Sequence, residues 1–212
     1  MIKTIVIFAN SVKHNQHCVA GKDIITKEWI RPVGDKNGCE LRDKQTKYQN
    51  PYGKFLVKPL QKIIIDFLDK APLKQQPENY IISNNIWQQN YKIERENIKF
   101  FLDYPNNLWL DGISYNDRVN YKLIQSENII INQSLYLIEV EKIHIYWKNR
   151  SNFRENSQRR GFFKYNNISY DLPITDPNFK NFQEQDLENK FLCISLGEEY
   201  KGYCYKLIAS IL

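Results

Sequence analysis

Apolar positions in this chain recur mostly with the two-residue period of strands, and seldom with the 3.6-residue period of helices. Ile2–Phe8 is a β-branched run, and Lys62–Leu68 (KIIIDFL) is a second candidate for a buried strand. Trp29–Val33 (WIRPV) is short and extended, and Pro32 confines it to an edge or a strand end. The longest pattern is Ser134–Trp147 (SLYLIEVEKIHIYW), whose alternation slips phase near Glu139–Lys142, so a bulge or sharp bend is expected there. Gly161–Asp171, Phe191–Leu196 and Tyr203–Ile211 complete the strand set. Glu94–Leu102 (ERENIKFFL) alone reads as a short helix, with acids in its first turn and Pro105 beyond it. The Gln- and Asn-rich stretch Lys70–Asn90 reads as a long irregular connection.

No segment repeats at a fixed period, which excludes solenoids and propellers. Many short strands with one or two short helices argue against a βαβ sheet and for an all-β fold of two small five-stranded barrels. Pro, Asn, Asp and Gly cluster in Tyr104–Asn120, which places the expected boundary at 110/111, with barrels over 1–110 and 111–212.

Composition supports this picture: 212 residues, 42% hydrophobic and 14% aromatic, suit a folded chain of one or two domains. No apolar stretch approaches the ~20 residues of a membrane helix. The start reads as a first strand rather than a signal peptide, and four Cys without CxxC spacing read as free thiols, so a reducing cytoplasm is expected.

Charge changes the picture more by place than by amount. The chain carries +6, yet Lys148–Lys164 alone holds six basic residues (Lys148, Arg150, Arg154, Arg159, Arg160 and Lys164) against Glu155. Phe153, Phe162, Phe163 and Tyr165 interleave with them. Guanidinium groups hold phosphates and rings stack on bases, so this loop is a candidate nucleic-acid contact. Three or four phosphate contacts predict a salt slope of roughly −2 to −3 for single strands. Replacing Arg159 and Arg160 is expected to flatten that slope with the fold intact.

Two further stretches are polar. Residues 7–34 place Asn10, Ser11, Lys13, His14 and His17 before Cys18, then Lys22, Trp29 and Arg31, and Trp29 offers a stacking face. His14, His17, Cys18 and Cys39 fall short of a convincing four-ligand zinc set, and a polar loop with a buried thiol is preferred. Near the end, Thr175-Asp176-Pro177 reads as a turn and Ser195–Lys206 as a hairpin. Walker, GxGxxG, GxSxG and HExxH motifs are missing, and Glu139–Lys142 fits a nuclease pattern poorly. No catalytic residue, metal or cofactor is expected.

The pieces IFANSVKH, CVAGKDI, EWIRPVG, ITDP and ISLGEEYKGYCYKLIASIL, in this order, resemble the bacterial dual OB-containing domain family. Asn10, Ser11, Lys13, Cys18, Gly21, Lys22, Trp29, Arg31, Pro32, Ser195, Leu196, Gly197, Tyr205 and Lys206 stand at its motif positions. The resemblance implies two OB-type barrels, nucleic acid or a nucleotide-like ligand as partner, and a sensor or adaptor role in a defence or conflict setting. The leading reading is a non-catalytic nucleic-acid-binding module using Arg150, Arg154, Arg159, Arg160, Phe162, Lys164 and Trp29. The alternative is a nucleotide or small-molecule site, binding or hydrolytic, with Asn10, Ser11, Lys13, Lys22, Arg31, Ser195, Tyr205 and Lys206 converging on one concave surface.

Overall fold

The computed structural model describes residues 1–13, 16–149 and 157–212, with the Lys13 side chain left out. About half of the chain is strand. It divides into two compact units, Met1–Phe101 and Leu102–Leu212. The division falls ahead of the expected 110/111 because Leu108 and Trp109 belong to the second core. The Leu108 amide donates to the Tyr170 hydroxyl (3.0 Å), and the Trp109 indole donates to the Gln133 carbonyl (2.8 Å).

The first unit contains β1 (Ile2–Lys13), β2 (Gln16–Asp23), β3 (Trp29–Val33), β4 (Lys47–Asn50), β5 (Gly53–Leu56), β6 (Gln61–Lys70), β7 (Asn79–Ile82) and β8 (Trp87–Lys92). Five of these strands, in the order β1-β2-β3-β7-β6, close into a barrel. β1 pairs back onto β6, and β3 pairs with β7 in parallel. Ile5, Ile7, Val19, Ile30, Ile63, Ile65 and Phe67 fill it. The stretch expected to be an irregular connection supplies β7, the strand that closes the barrel, as well as β8. Four residues with only Tyr80, Ile81 and Ile82 apolar leave little periodicity to read, and a parallel partner 48 residues away leaves none. The expected helix forms as a 3-10 helix, Arg95–Phe101, burying Ile98 and Phe101.

The second unit contains β9 (Arg118–Asn120), a one-turn helix α1 (Tyr121–Gln125), β10 (Leu135–Lys148), β11 (Gln158–Tyr165), β12 (Ile168–Pro173), β13 (Gln185–Tyr200) and β14 (Tyr203–Ile211). Their order is β12-β11-β10-β13-β14-β9, and the two sides meet at one parallel bridge, Ile174 to Ile208. This barrel is less complete than the first, with the same strand logic. No bulge interrupts β10 against β13: the register stays in step from Leu135 opposite Ser195 to Ile145 opposite Gln185. The slip in alternation instead reflects the coiling of a long strand around a barrel, which changes the face it turns inward. The backbone irregularity lies on the partner strand, where Asn189 takes φ 50°. The β13–β14 hairpin turns at Lys201-Gly202, both at positive φ, as a two-residue primed turn requires. Among the described residues no helix is long and apolar enough to cross a membrane.

Candidate nucleic-acid interface

In the first unit, the early-loop residues bond inward. Asn10 donates through Nδ2 to the Val57 carbonyl (2.8 Å), and its Oδ1 meets His17 Nδ1 (2.7 Å). The other His17 nitrogen reaches Asp43 (2.9 Å), so a buried histidine bridges two polar partners. Ser11 is buried. Arg31 is buried against Glu78, Nε to Oε1 3.3 Å. Lys22 is buried, donating its ammonium to the Phe101 carbonyl (2.7 Å) and lying 5.1 Å from the Trp29 ring centre. Lys13 ends β1 opposite Gln16. His14 lies outside the described residues.

Trp29 is not available as a stacking platform: it is 5% exposed and packs edge-on against Phe8. Val6, Phe8, Ala20, Lys22 and Trp29 are buried although they stand outside the barrel's inner cluster. The 3-10 helix Arg95–Phe101 explains part of this. Phe101 tilts against Phe8 (5.3 Å), and Lys27 sits 4.0 Å from the Phe101 ring centre. On the β1–β3 outer surface, Phe8, Lys22 and Trp29 are thus covered in part by Phe101 of the same unit.

The corresponding surface of the second unit is open. β10 turns Ile143 and Ile145 inward and His144, Tyr146 and Lys148 outward. β11 places Phe162 opposite His144, and Arg160 opposite Tyr146. Phe162 is 43% exposed, Lys164 follows on the same face, and His144 stacks on Tyr146 (5.6 Å, 21°). An open cleft of about 810 Å³ runs here, lined by Glu139, Lys142, His144, Phe162, Lys164 and Asp186 among others. Its charge is mixed, for Lys142 pairs with Asp186 (2.6 Å), which holds that carboxyl below its usual range and raises the lysine. His144 sits between Asp186 (2.9 Å) and Glu184 (3.2 Å).

The basic segment divides into two kinds of residue. Arg160 is buried: its Nε binds Asp171 (2.7 Å), Nη1 reaches Gln158, and Nη2 the Asp171 carbonyl. Asp171 also accepts from the Tyr146 hydroxyl (2.9 Å) and lies 3.7 Å from Lys148. Arg159 donates to the Asp176 carbonyl (2.9 Å), and partial burial lowers its pKa. Arg159 and Arg160 therefore hold β11 to its surroundings. Replacing both would also strip Asp171 of its closest partner, Arg160, and the Asp176 carbonyl of its bond from Arg159. Lys164 stays exposed, and Arg150 and Arg154 lie outside the described residues.

In the C-terminal hairpin, Ser195 is buried, and Lys206 is 0% exposed with its ammonium on the Asn116 carbonyl (3.0 Å). Burial lowers the Lys206 pKa to about 8, against the pull of Asp111 and Asp117. Tyr205 is half-buried, and its hydroxyl accepts from Arg118 (3.3 Å). These residues lie in the second unit and the early-loop residues in the first. Asp176 behaves as the turn reading implied, accepting from the Asn178 and Ile211 amides (2.9 and 3.0 Å).

A family model of the dual OB-containing domain matches residues 3–211. The chain belongs to that family. In the first unit β3 pairs in parallel with β7, and in the second a single parallel bridge joins Ile174, just past β12, to Ile208 in β14. Among solved structures, the crystal structure of the tetrameric p202 HIN2 is similar at 7% identity, over 100% of this chain and 91% of that chain, with a TM-score of 0.35. Nothing matches among the curated proteins.

Within this dual OB chain, sequence reasoning missed His144 and Tyr146 as companions of Phe162. The signal was the alternation of IHIYWK, which sends His144, Tyr146 and Lys148 to one side of the strand. It also missed Arg118, whose guanidinium binds Asp117 (2.8 Å) and lies 4.8–5.4 Å from the Tyr205, Tyr115 and Tyr203 ring centres. Nothing in the spacing from 115 to 205 announces that cluster.

Proposed function

We propose that this protein is a non-catalytic nucleic-acid-binding module that takes single-stranded segments on the outer face of β10–β12. The observation that carries the reading is Phe162. A large aromatic ring stands 43% exposed on the second barrel strand, beside His144 and Tyr146 and followed by Lys164. OB folds hold oligonucleotides on their second and third strands and on the loop between the first and second. In this unit the strands are β11 and β12, and the sequence between β10 and β11 carries Arg150 and Arg154. Exposed rings stack unpaired bases whatever their identity, and neighbouring cations meet the phosphates. The acids of the cleft suit base edges, which donate through amines, better than phosphates. A sensor or adaptor role in a defence setting enters this reading from the resemblance to the dual OB-containing family alone. The alternative nucleotide site loses support because Asn10, Lys22, Arg31 and Lys206 already serve internal partners.

The test is a fluorescence titration with a labelled single-stranded oligonucleotide. Phe162→Ala should weaken binding roughly 5- to 150-fold, the cost of one lost stack of ~1–3 kcal/mol, with the salt slope unchanged. Equal affinity of the variant and the wild type would refute the reading.

A further inference from the structure

The net charge of the chain is unevenly divided. The first unit holds 17 Lys and Arg against 10 Asp and Glu, or +7, whereas the second holds 13 against 14, or −1. The excess therefore resides in the unit whose Lys22 and Arg31 are internally engaged, and the rest of it lies elsewhere.

It concentrates on the sheet extension β5-β4-β8 and the adjoining start of β6. Residues 44–65 contain Lys44, Lys47, Lys54, Lys58 and Lys62 without one acid, and residues 79–93 contain Lys92 without one. None of these six forms an ion pair among the described residues, and five of them are exposed. The register gathers three of them, Lys47, Lys54 and Lys62. Gln49 stands opposite Lys54 on one side and Gln88 on the other, with Lys47 two residues before Gln49 on the same face. Lys62 follows on β6, two residues before Ile64, which stands opposite Gln88. The opposite face anchors the extension: Tyr48 and Trp87 are buried in the core, the Gln61 amide donates to the Tyr48 hydroxyl (2.8 Å), and Asn50 donates to Gln89 (3.0 Å). At the β4–β5 tip, Tyr52 is 89% exposed beside an Asn50 side chain that accepts the Tyr52 amide (2.9 Å).

Like charges on one acid-free face repel one another and lower stability. Here they stand on a fixed sheet, alternate with amides, and border an exposed ring. We infer that this lysine face of the first unit is a second contact for the phosphate backbone of a nucleic acid. It rests on the nucleic-acid reading of the chain but not on the Phe162 surface. Lysines act as point charges on phosphates, so the contact is independent of sequence and sensitive to salt.

The test uses the full chain, a labelled 20-nucleotide oligo(dT) and a salt series. The triple variant Lys47→Glu/Lys54→Glu/Lys62→Glu should flatten the slope of log K against log salt by about 2, from about 0.7 per single-strand phosphate. Its affinity at low salt should fall at least tenfold. The Lys→Gln triple, which introduces no new charge, should show the same flattening if the Glu version misfolds by circular dichroism. Phe162→Ala separates the two surfaces, since it should lower affinity with the slope intact. An unaltered slope in the correctly folded triple variant, with Phe162→Ala still impaired, would overturn this inference alone and leave the lysines as guards of the edge strand β5. Flattening in the triple variant with Phe162→Ala unimpaired would support it while removing the Phe162 surface. Co-sedimentation with anionic phosphatidylserine vesicles, without any oligo(dT) binding, would overturn the choice of partner.

Discussion

The two barrels share a strand order and differ in what lies over their outer faces. In the first, the 3-10 helix Arg95–Phe101 contributes Phe101 against Phe8, and Lys22 and Trp29 are buried with it. In the second, the matching surface leaves Phe162 and Lys164 in solvent beside His144 and Tyr146. A fold specifies where a ligand surface can be; a few residues decide whether it stays open. The cations follow the same division. Arg31 and Lys22 are spent on internal bonds, while six other lysines of the first unit fall in two stretches of the sheet extension and its surroundings without an acid.

The largest effect should come from breaking a buried pair in the first unit. Glu78→Ala leaves the Arg31 guanidinium buried without its carboxylate, a change of about 3–5 kcal/mol. Urea unfolding monitored by tryptophan fluorescence would measure it, and the double Arg31→Met/Glu78→Leu variant should regain most of the loss. A cost below about 1 kcal/mol for the single variant would show that the pair does not hold β3 to the β7 side.

In the second unit Lys206 is a fully buried cation, and its signature is pH dependence. Below about 8 the amine carries its proton in both folded and unfolded chains. Between about 8 and the ordinary lysine value near ~10.4 only the unfolded chain binds it, so stability should rise with pH across that window, by on the order of 3 kcal/mol. Lys206→Met should lack that rise. Identical pH profiles for the two proteins would contradict the burial argument.

A smaller contrast concerns the second strand of each barrel. A Cβ at Gly21 would meet the Val6 carbonyl oxygen at 2.5 Å, a backbone atom, whereas one at Gly161 would meet the Ile208 and Ile143 side-chain ends at 2.6 and 2.7 Å. Gly21→Ala should therefore cost up to about 3 kcal/mol and Gly161→Ala nearer to about 1, because isoleucine ends can rotate away. Thermal melts of the two variants would reverse the ranking if the first barrel yields more readily than the second.

The sequence exposed the long strands and hid the short ones. Ile2–Phe8, KIIIDFL and the alternation through β10 were legible because each buries apolar residues at a strand period. β7 was not, since its four residues are set in Gln- and Asn-rich chain and its partner is distant. The basic segment was visible as charge, yet its division into bonded and free cations depends on Asp171 and the Asp176 carbonyl, which reach β11 only across the sheet. Trp29 read as a stacking face for the same reason: its cover, Phe8 and the Lys22–Phe101 bond, comes from residues far along the chain.

The smallest effect sharpens the binding comparison. Lys164→Ala removes one exposed cation beside Phe162 and should reduce the salt slope by about 0.7, one phosphate, with no loss of stability. A drop well above one unit would place Lys164 at a junction of several phosphates.

The open and covered faces are told apart most directly by photocrosslinking. Irradiation of the full chain with an oligonucleotide containing 5-iododeoxyuridine, followed by peptide mapping, reads which rings touch bases. Adducts at Phe162 or Tyr146, and none at Trp29 or Phe101, are the predicted result; adducts confined to Trp29 or Phe101 would contradict it.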